Sequence, residues 1–162
     1  QLASSAVTNA KIASDAAIAT SKLGTGAVLQ VVQSTTSSIA NTTSSSFTDT
    51  GLTANITPNS TSNKILVLVN QRIFCQIDTN ATIALYRDGS NTSPVVDIER
   101  YGLTDESSTG DGNYFTSSFL DSPSSTSSLT YKTVYKRHSG TGNVYVQLNN
   151  DISTITLMEI AG

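Results

Sequence analysis

The run Ile65-Leu66-Val67-Leu68-Val69 is the longest uninterrupted apolar stretch in a sequence of 162 residues. It has the length of a β-strand and is far shorter than the roughly 18 residues that a transmembrane helix needs. Because alternate residues of a strand point to opposite sides, a strand that is apolar throughout has two apolar faces. The run at 153–160 also has apolar residues on both faces, at Ile155, Leu157, Met158 and Ile160. We therefore expect both strands to be buried on two faces.

Outward from this run, the sequence is a succession of short β-strands separated by polar turns. We predict nine strands, at 27–33, 46–57, 64–74, 80–87, 94–101, 113–121, 128–137, 143–149 and 153–160. Asp88-Gly89 and Gly140-Thr141-Gly142 are turn sequences, and the second is typical of a β-hairpin. Nine strands with spaced turns and no convincing helix predict an all-β fold, an antiparallel sandwich of the jelly-roll type.

Several of these strands alternate between apolar and polar residues, which predicts one buried side and one wet side. In 143–149 the apolar side carries Val144, Val146 and Leu148. In 80–87, Ile83 and Leu85 oppose a second side made of Thr82, Ala84 and Tyr86.

Residues 1–26 differ from the remainder, since they are rich in Ala and contain no aromatic residue and no Pro. An 11-residue unit occurs twice here, with Ala6–Ile12 matching Ala17–Leu23. If the segment is helical, an 11-residue period winds several chains into a right-handed bundle, with Val7, Ile12, Ile18 and Leu23 at its seam. The alternative is a disordered, low-complexity tail. Gly24-Thr25-Gly26 ends the pattern and acts as a joint.

The two apolar strands and the repeat together predict a homotrimer, with a stalk at 1–26 and a β-sandwich knob at 27–162. A sandwich buries one face of each strand, so the second apolar face needs another cover, and a copy of the same chain is the simplest one. The predicted contacts between copies are Val7, Ile12, Ile18 and Leu23 in the stalk and Ile65, Val67, Val69, Ile155 and Leu157 in the knob. The alternative is that both strands are covered on each face within one chain.

Charge excludes two classes of partner. The chain has 9 Lys+Arg and 12 Asp+Glu, a formal charge of −3, and no basic run. This composition gives no electrostatic footprint for nucleic acid or an anionic membrane, and no apolar run is long enough for membrane insertion. Because the sequence opens at Gln1 without a signal-peptide pattern, we expect a processed chain or the end of a longer one.

Candidate catalytic groups are few. His138 is the only histidine and follows Lys136-Arg137 just before a turn, where an exposed imidazole is the usual outcome. Cys75 stands in an apolar setting and reads as a small core residue. With no P-loop, Gly-x-Ser-x-Gly or His-Glu-x-x-His motif, we expect no enzymatic activity, no cofactor and no metal.

Two sets of carboxylates offer alternatives. Asp105, Glu106 and Asp111 could supply oxygen ligands to Ca²⁺, but their spacing does not match an EF-hand and favours a solvated acidic loop. Asp97 and Glu99 share one face of a predicted strand, as in a glycan-cleaving enzyme, yet surface ion pairs are the simpler interpretation. The six tyrosines could stack on sugar rings, although most are expected to pack at strand edges.

Five segments carry a resemblance to a known family: Ala6–Ile12 with its second copy, Gly26–Gln33, Ile56–Val67, Ser118–Pro123 and Met158–Gly162. Together they resemble the C-terminal regions of fibre proteins of tailed bacteriophages, especially those of marine bacteria. The resemblance implies a trimeric protein of the virion surface, with a shaft and a β-rich knob that touches the host. Tail fibre and head fibre both remain open, and no functional residue is implied.

The sequence therefore favours a non-enzymatic fibre or decoration protein whose trimeric knob binds host-surface glycan and whose other partners are tail or capsid proteins. Binding at each site would be weak and strengthened by avidity. The alternative is a monomeric carbohydrate-binding module or a secreted lectin-like domain.

Overall fold

A computed structural model describes residues 23–87, 94–102 and 111–162. Within these residues the regular structure consists of ten strands and one short 3-10 helix, Leu148–Asn150. The strands are β1 (Val28–Thr36), β2 (Ala40–Thr42), β3 (Thr48–Ile56), β4 (Lys64–Cys75), β5 (Asn80–Arg87), β6 (Pro94–Gly102), β7 (Asp111–Asp121), β8 (Leu129–Ser139), β9 (Val144–Val146) and β10 (Ser153–Ile160). No helix of the described ranges is long and apolar enough to cross a membrane.

The strands form two antiparallel sheets. Sheet 1 has the order β1–β10–β4–β7, and the short strands β9 and β2 extend it beside the far part of β4. Sheet 2 has the order β3–β8–β5–β6. The chain crosses repeatedly from one sheet to the other, which is the arrangement of a jelly roll. The predicted all-β, antiparallel sandwich is confirmed.

The core lies between the sheets and follows the alternation of each strand. On β4, Ile65, Val67 and Val69 point inward and are at most 4% exposed, while Leu66 and Leu68 are half-buried on the outer side. They pack against inward residues of both sheets, among them Leu52, Ala54, Tyr131, Ile155 and Leu157.

The five knob residues predicted as contacts between copies therefore lie inside one chain. Ile155 and Leu157 of β10 are fully buried, like Ile65 and Val67 of β4. Sheet 2 covers the face of sheet 1 that carries these five residues, so they are not available for contact with another copy. Their outward neighbours Leu66, Leu68, Met158 and Ile160 are only half-buried in the single chain, so burial on two faces is not complete there.

The stalk predicted at 1–26 lies outside the described residues except for 23–26, and Val7, Ile12 and Ile18 are among the residues left out. Leu23 is 42% exposed. Where the chain joins sheet 1, the amide of Gly26 donates to the carbonyl of Ala161 at 2.8 Å, and the amide of Ala161 donates to the carbonyl of Ala27 at 2.9 Å.

Strand β5 is buried on both sides, which corrects the prediction of a wet side. Ile83 and Leu85 face sheet 1. On the opposite side Ala84 and Tyr86 pack beneath Phe47, whose ring meets that of Tyr86 edge-on with 5.8 Å between centroids. A polar segment that precedes β3 thus brings one aromatic residue over the outer face of sheet 2.

Two other predictions near the C-terminus are wrong in detail. The strand predicted at 143–149 ends at Val146, because Gln147 has a positive φ of 53° and Leu148 leaves the apolar side for the 3-10 helix. Gly140-Thr141-Gly142 does not form a hairpin, since β8 belongs to sheet 2 and β9 to sheet 1. Gly140 has a φ of +86° and passes so close to the carbonyl of Asp78 that a Cβ would overlap it.

Strand β2 was not predicted. Its sequence, Ala40-Asn41-Thr42, is polar and short, and the strand exists because the chain pairs there with β9. Three residues are too few to show the alternation of a strand, so the sequence of β2 does not predict its pairing with β9.

Candidate functional surface

The residue types associated with catalysis are scattered. His138 is exposed near the end of β8, and Cys75 is buried in the core at the end of β4, both as predicted. Asp97 and Glu99 lie in β6, and Asp105 and Glu106 fall outside the described residues. Across the described ranges, no three His, Cys, Asp or Glu side chains are grouped so that they could hold a metal ion.

The outer face of sheet 1 is the most distinctive surface, and its two ends differ. We call the end where Gly26 and Ala27 join the sheet the proximal end, because the preceding residues of the chain arrive there. Strand β4 begins at the proximal end with Lys64 and reaches the opposite, distal end at Cys75. Its twelve residues span about 37 Å at the usual rise of a strand.

The proximal half of this face carries one row that is apolar on all four strands, with Lys64 on one side of it and Gln33, Thr156 and Ser118 around Leu68 on the other. This row crosses four strands, since Val31 pairs with Met158, Met158 with Leu66, and Leu66 with Leu120. Val31 is 55% exposed and Leu120 is 47% exposed. We call the whole set the apolar band, and it consists of Val28, Val31, Leu66, Leu68, Leu120, Met158 and Ile160.

Polar residues separate the apolar band from the distal half. Thr35, Thr154, Asn70 and Thr116 form a row through the same four strands. Because the side chains of this row can hydrogen-bond with water, the row marks the boundary of the apolar band.

Aromatic side chains gather at the distal end. Phe74 of β4 pairs with Tyr145 of β9, and their rings meet edge-on with 6.1 Å between centroids. Arg72 pairs with Tyr114 of β7, and its guanidinium carbon lies 5.2 Å from the centre of the Tyr114 ring. We call these four residues the aromatic cluster.

An irregular segment after β9 completes this end. Gln147, Asn149 and Asn150 all have positive φ values between 53° and 63°. The bend brings the carboxylate of Asp151 to Arg72, with 3.5 Å between Oδ2 and Nε. That contact is longer than a hydrogen bond, and Nε has no hydrogen-bond partner among the described residues.

Buried amides hold this irregular segment in place. With the Gln147 amide assigned the orientation that its neighbours require, its oxygen accepts from Nε2 of Gln71 at 2.6 Å and from Oγ of Ser153 at 3.2 Å, and its nitrogen donates to the carbonyl of Ser38 at 3.1 Å. Gln71, Gln147 and Ser153 are fully buried. Strand β4, strand β10 and the connection between β1 and β2 therefore hold the segment beside Arg72 in place.

Glu159 is a buried carboxylate at the proximal end. Oε1 accepts from the amide of Asn59 at 2.6 Å and from Nδ2 of Asn63 at 2.5 Å, while Oε2 accepts from Nε2 of Gln30 at 2.6 Å. Burial acts to raise the pKa of Glu159, but the hydrogen bonds from Asn63, Gln30 and Asn59 outweigh it and hold the pKa below its ordinary value. The carboxylate ties the 57–63 loop to β1 and β10.

Leu23 lies beside this loop. With Leu29, Asn59, Asn63 and Gly162 it lines an open cavity of about 340 Å³. The cavity lies at the junction between the sandwich and the preceding residues.

Asp121 is the second carboxylate buried among the described residues, at the end of β7. Its Oδ2 accepts from Nη1 of Arg87 at 2.5 Å and from the hydroxyl of Tyr131 at 2.6 Å. Burial and the bond to Asp121 raise the pKa of Tyr131 well above its ordinary value, so the hydroxyl stays protonated and donates. The three side chains join sheet 1 to sheet 2.

We expect Tyr131→Phe to lower the free energy of unfolding by about 2 kcal/mol, because it removes a hydrogen bond to a buried carboxylate. Urea denaturation followed by circular dichroism measures this change. Tyr145→Phe is the matched control, since Tyr145 lies on the outer face, and should change stability by less than about 0.5 kcal/mol. Equal effects of the two substitutions would contradict the role given to Tyr131.

The molecule is thus a jelly-roll sandwich with one outer sheet face divided into an apolar band and an aromatic cluster. No family model matches the sequence, and no significant match is found among curated proteins. The resemblance to phage fibre proteins rests on the sequence segments alone.

Among solved structures, part of VP2 of infectious bursal disease virus is similar to this chain. In the VP2 subviral particle the similarity covers 83% of this chain and 34% of that one, with 13% sequence identity and a TM-score of 0.46. For the Gx strain of the same virus it covers 83% and 33%, with 12% identity and a TM-score of 0.45. The chain thus spans about a third of the length of these structures, at identities that describe fold alone.

Proposed function

We propose that this chain is a structural, non-enzymatic protein of a virion surface, the knob of a fibre or decoration protein of a tailed bacteriophage. The knob is a homotrimer that attaches to host-surface glycan, and its stalk joins it to other tail or capsid proteins. The five sequence segments that resemble phage fibre proteins support the phage assignment.

The apolar band is the observation that supports association between copies, and the number three comes from the resemblance to phage fibre proteins. Its apolar side chains are continuous across β1, β10, β4 and β7, with Val31 and Leu120 about half exposed. Contiguous exposed apolar surface bounded by polar residues is typical of an interaction site. Because the band has few charges, a second copy with the same band complements it without unpaired ions.

The position of the apolar band also supports association between copies. The band lies at the proximal end, beside Gly26 and Ala27. Three copies in contact through this end would bring their three N-terminal segments together. The 11-residue repeat of 1–26 requires such neighbours if it forms a helical bundle.

The mass of the chain in solution tests this proposal. We expect light scattering after size exclusion to give three times 17.0 kDa for the full chain. A version starting at Ala27 should still have three times the mass of its own shorter chain if the apolar band is the main interface. A single 17.0 kDa species at micromolar concentration would overturn the trimer.

Leu66→Asp locates the interface. It places a charge at the centre of the apolar band, where an unpaired buried carboxylate costs about 3 kcal/mol or more per copy, so we expect a folded monomer. Asn70→Asp is the matched control, because Asn70 lies on the same face of β4 within the polar row. A Leu66→Asp variant that remains a trimer would place the interface elsewhere.

The second candidate is a monomeric carbohydrate-binding module, which the aromatic cluster favours because all four residues come from one chain. A monomeric mass with retained glycan binding would support this candidate over the fibre.

A further inference from the structure

We propose that the aromatic cluster, together with Asp151, is the glycan-binding site, and that it takes neutral pyranose residues of an oligosaccharide. This inference rests on the proposed function, since it assigns the glycan contact of the knob to particular residues.

Two tyrosines provide the stacking surfaces. Tyr114 is 47% exposed on β7, with the guanidinium of Arg72 over one face of its ring, and the ring of Tyr145 on β9 meets that of Phe74 edge-on. The strands are two ladder steps apart and the residues are offset by two positions, so their Cα atoms lie about 12 Å apart. Such a spacing suits two sugar residues of one oligosaccharide that are separated by a third, with their C–H faces packed on the aromatic rings.

Arg72 and Asp151 provide the polar contacts between the two rings. The guanidinium is stacked on Tyr114 and lies near the carboxylate, at 3.5 Å, without a short hydrogen bond. A donor group beside an acceptor group matches adjacent hydroxyls of a sugar. Since the pair has no net charge, it gives a carboxylate no net attraction to offset the cost of removing it from water, so the site favours a neutral sugar over an acidic one.

Gly112 permits this placement of Arg72. A Cβ at Gly112 would overlap the guanidinium of Arg72, so the side chain lies flat over the glycine. Gly112→Ala should therefore displace Arg72 while leaving its charge and both tyrosine rings in the chain.

The site lies far enough from the apolar band to remain open in a trimer. Leu68, the residue of the band nearest to Arg72 on β4, is four residues from it, which is about 14 Å, and the row that contains Asn70 lies between them. The site also lies at the distal end, away from the residues that precede Gly26.

Saturation-transfer NMR of the full chain tests the site with defined probes. These are linear hexamers of glucose, galactose, mannose and N-acetylglucosamine, with hexagalacturonate as the acidic probe. We expect at least one neutral hexamer to receive saturation on its ring C–H protons. Tyr114→Ala and Gly112→Ala should each weaken its binding about tenfold, the size of one lost stacking contact. Thr116→Ala, on the same face of β7, is the matched control and should leave binding unchanged.

Three results would overturn the site: no binding of any neutral hexamer, binding that Tyr114→Ala leaves intact, or preferential binding of hexagalacturonate. The mass measurement separates this inference from the proposed function. If the chain is a trimer but fails these binding tests, the proposed site is wrong and the fibre proposal is unaffected. A monomer that passes them keeps the site and removes the fibre.

Discussion

Val67→Asp is expected to unfold the chain, and not simply to separate its copies. Val67 lies at the middle of the inner face of β4, fully buried, with Leu157 and Phe119 as its neighbours on the adjoining strands. An aspartate there has no partner, so the chain must bury an unpaired charge or protonate it, at several kcal/mol. A domain of this size is stable by about 5–15 kcal/mol, so most of that stability would be lost.

Near-ultraviolet circular dichroism of the tyrosines and urea denaturation measure this effect. The matched control is Leu66→Asp, which introduces the same charge one residue earlier on the opposite face of the strand. The Leu66→Asp chain should keep its native tyrosine signal and a cooperative unfolding transition, now that of a monomer. A Val67→Asp protein with native signal and unchanged stability would mean that this face of β4 is not the core.

The contrast between these two substitutions shows what sequence could and could not predict in β4. Five apolar residues in a row established a strand with two apolar faces, which is what the structure has. They gave no sign of which face packs inside the sandwich, because Ile65, Val67 and Val69 are no more apolar than Leu66 and Leu68. The buried face is the one that sheet 2 packs against, and the strands of sheet 2 come from distant parts of the sequence.

The aromatic cluster was only partly predictable for the same reason. Tyrosines on a wet sheet face were identified as candidates for sugar contact, but Arg72 and Phe74 were not. Phe74 and Tyr145 are 71 positions apart and meet only because β9 pairs with the last residues of β4. No local pattern records that register.

The two buried carboxylates lie within segments that the sequence analysis singled out. Asp121 lies within Ser118–Pro123, and Glu159 lies within Met158–Gly162 and binds the 57–63 loop of a third segment. Each joins distant parts of the chain through hydrogen bonds to a buried charge. Three of the segments that the sequence analysis singled out therefore include the polar anchors of this sandwich.

Glu159→Gln is expected to lower the free energy of unfolding by about 3 kcal/mol. The variant keeps the shape of the side chain but replaces one acceptor oxygen by a donor NH2, which then faces the donors of Asn59, Asn63 or Gln30. Asp49→Asn is the control, because the Asp49 side chain is 58% exposed and its pair with Lys132 is worth at most about 1 kcal/mol. Equal losses of stability would show that the Glu159 hydrogen bonds are no stronger than a surface ion pair.

The pH dependence of stability gives the same prediction a second measurement. The pKa of Glu159 is lower in the folded chain than the ordinary value of 4.5 that it regains on unfolding. The folded chain then binds fewer protons than the unfolded chain, so the contribution of Glu159 is complete above about pH 4.5 and is lost as the pH falls through the lower folded value. Urea unfolding at pH 7 and at several values below 4.5 should show a steeper loss for the natural chain than for Glu159→Gln. Parallel pH profiles would mean that this carboxylate does not hold the 57–63 loop to the sheet through its charge.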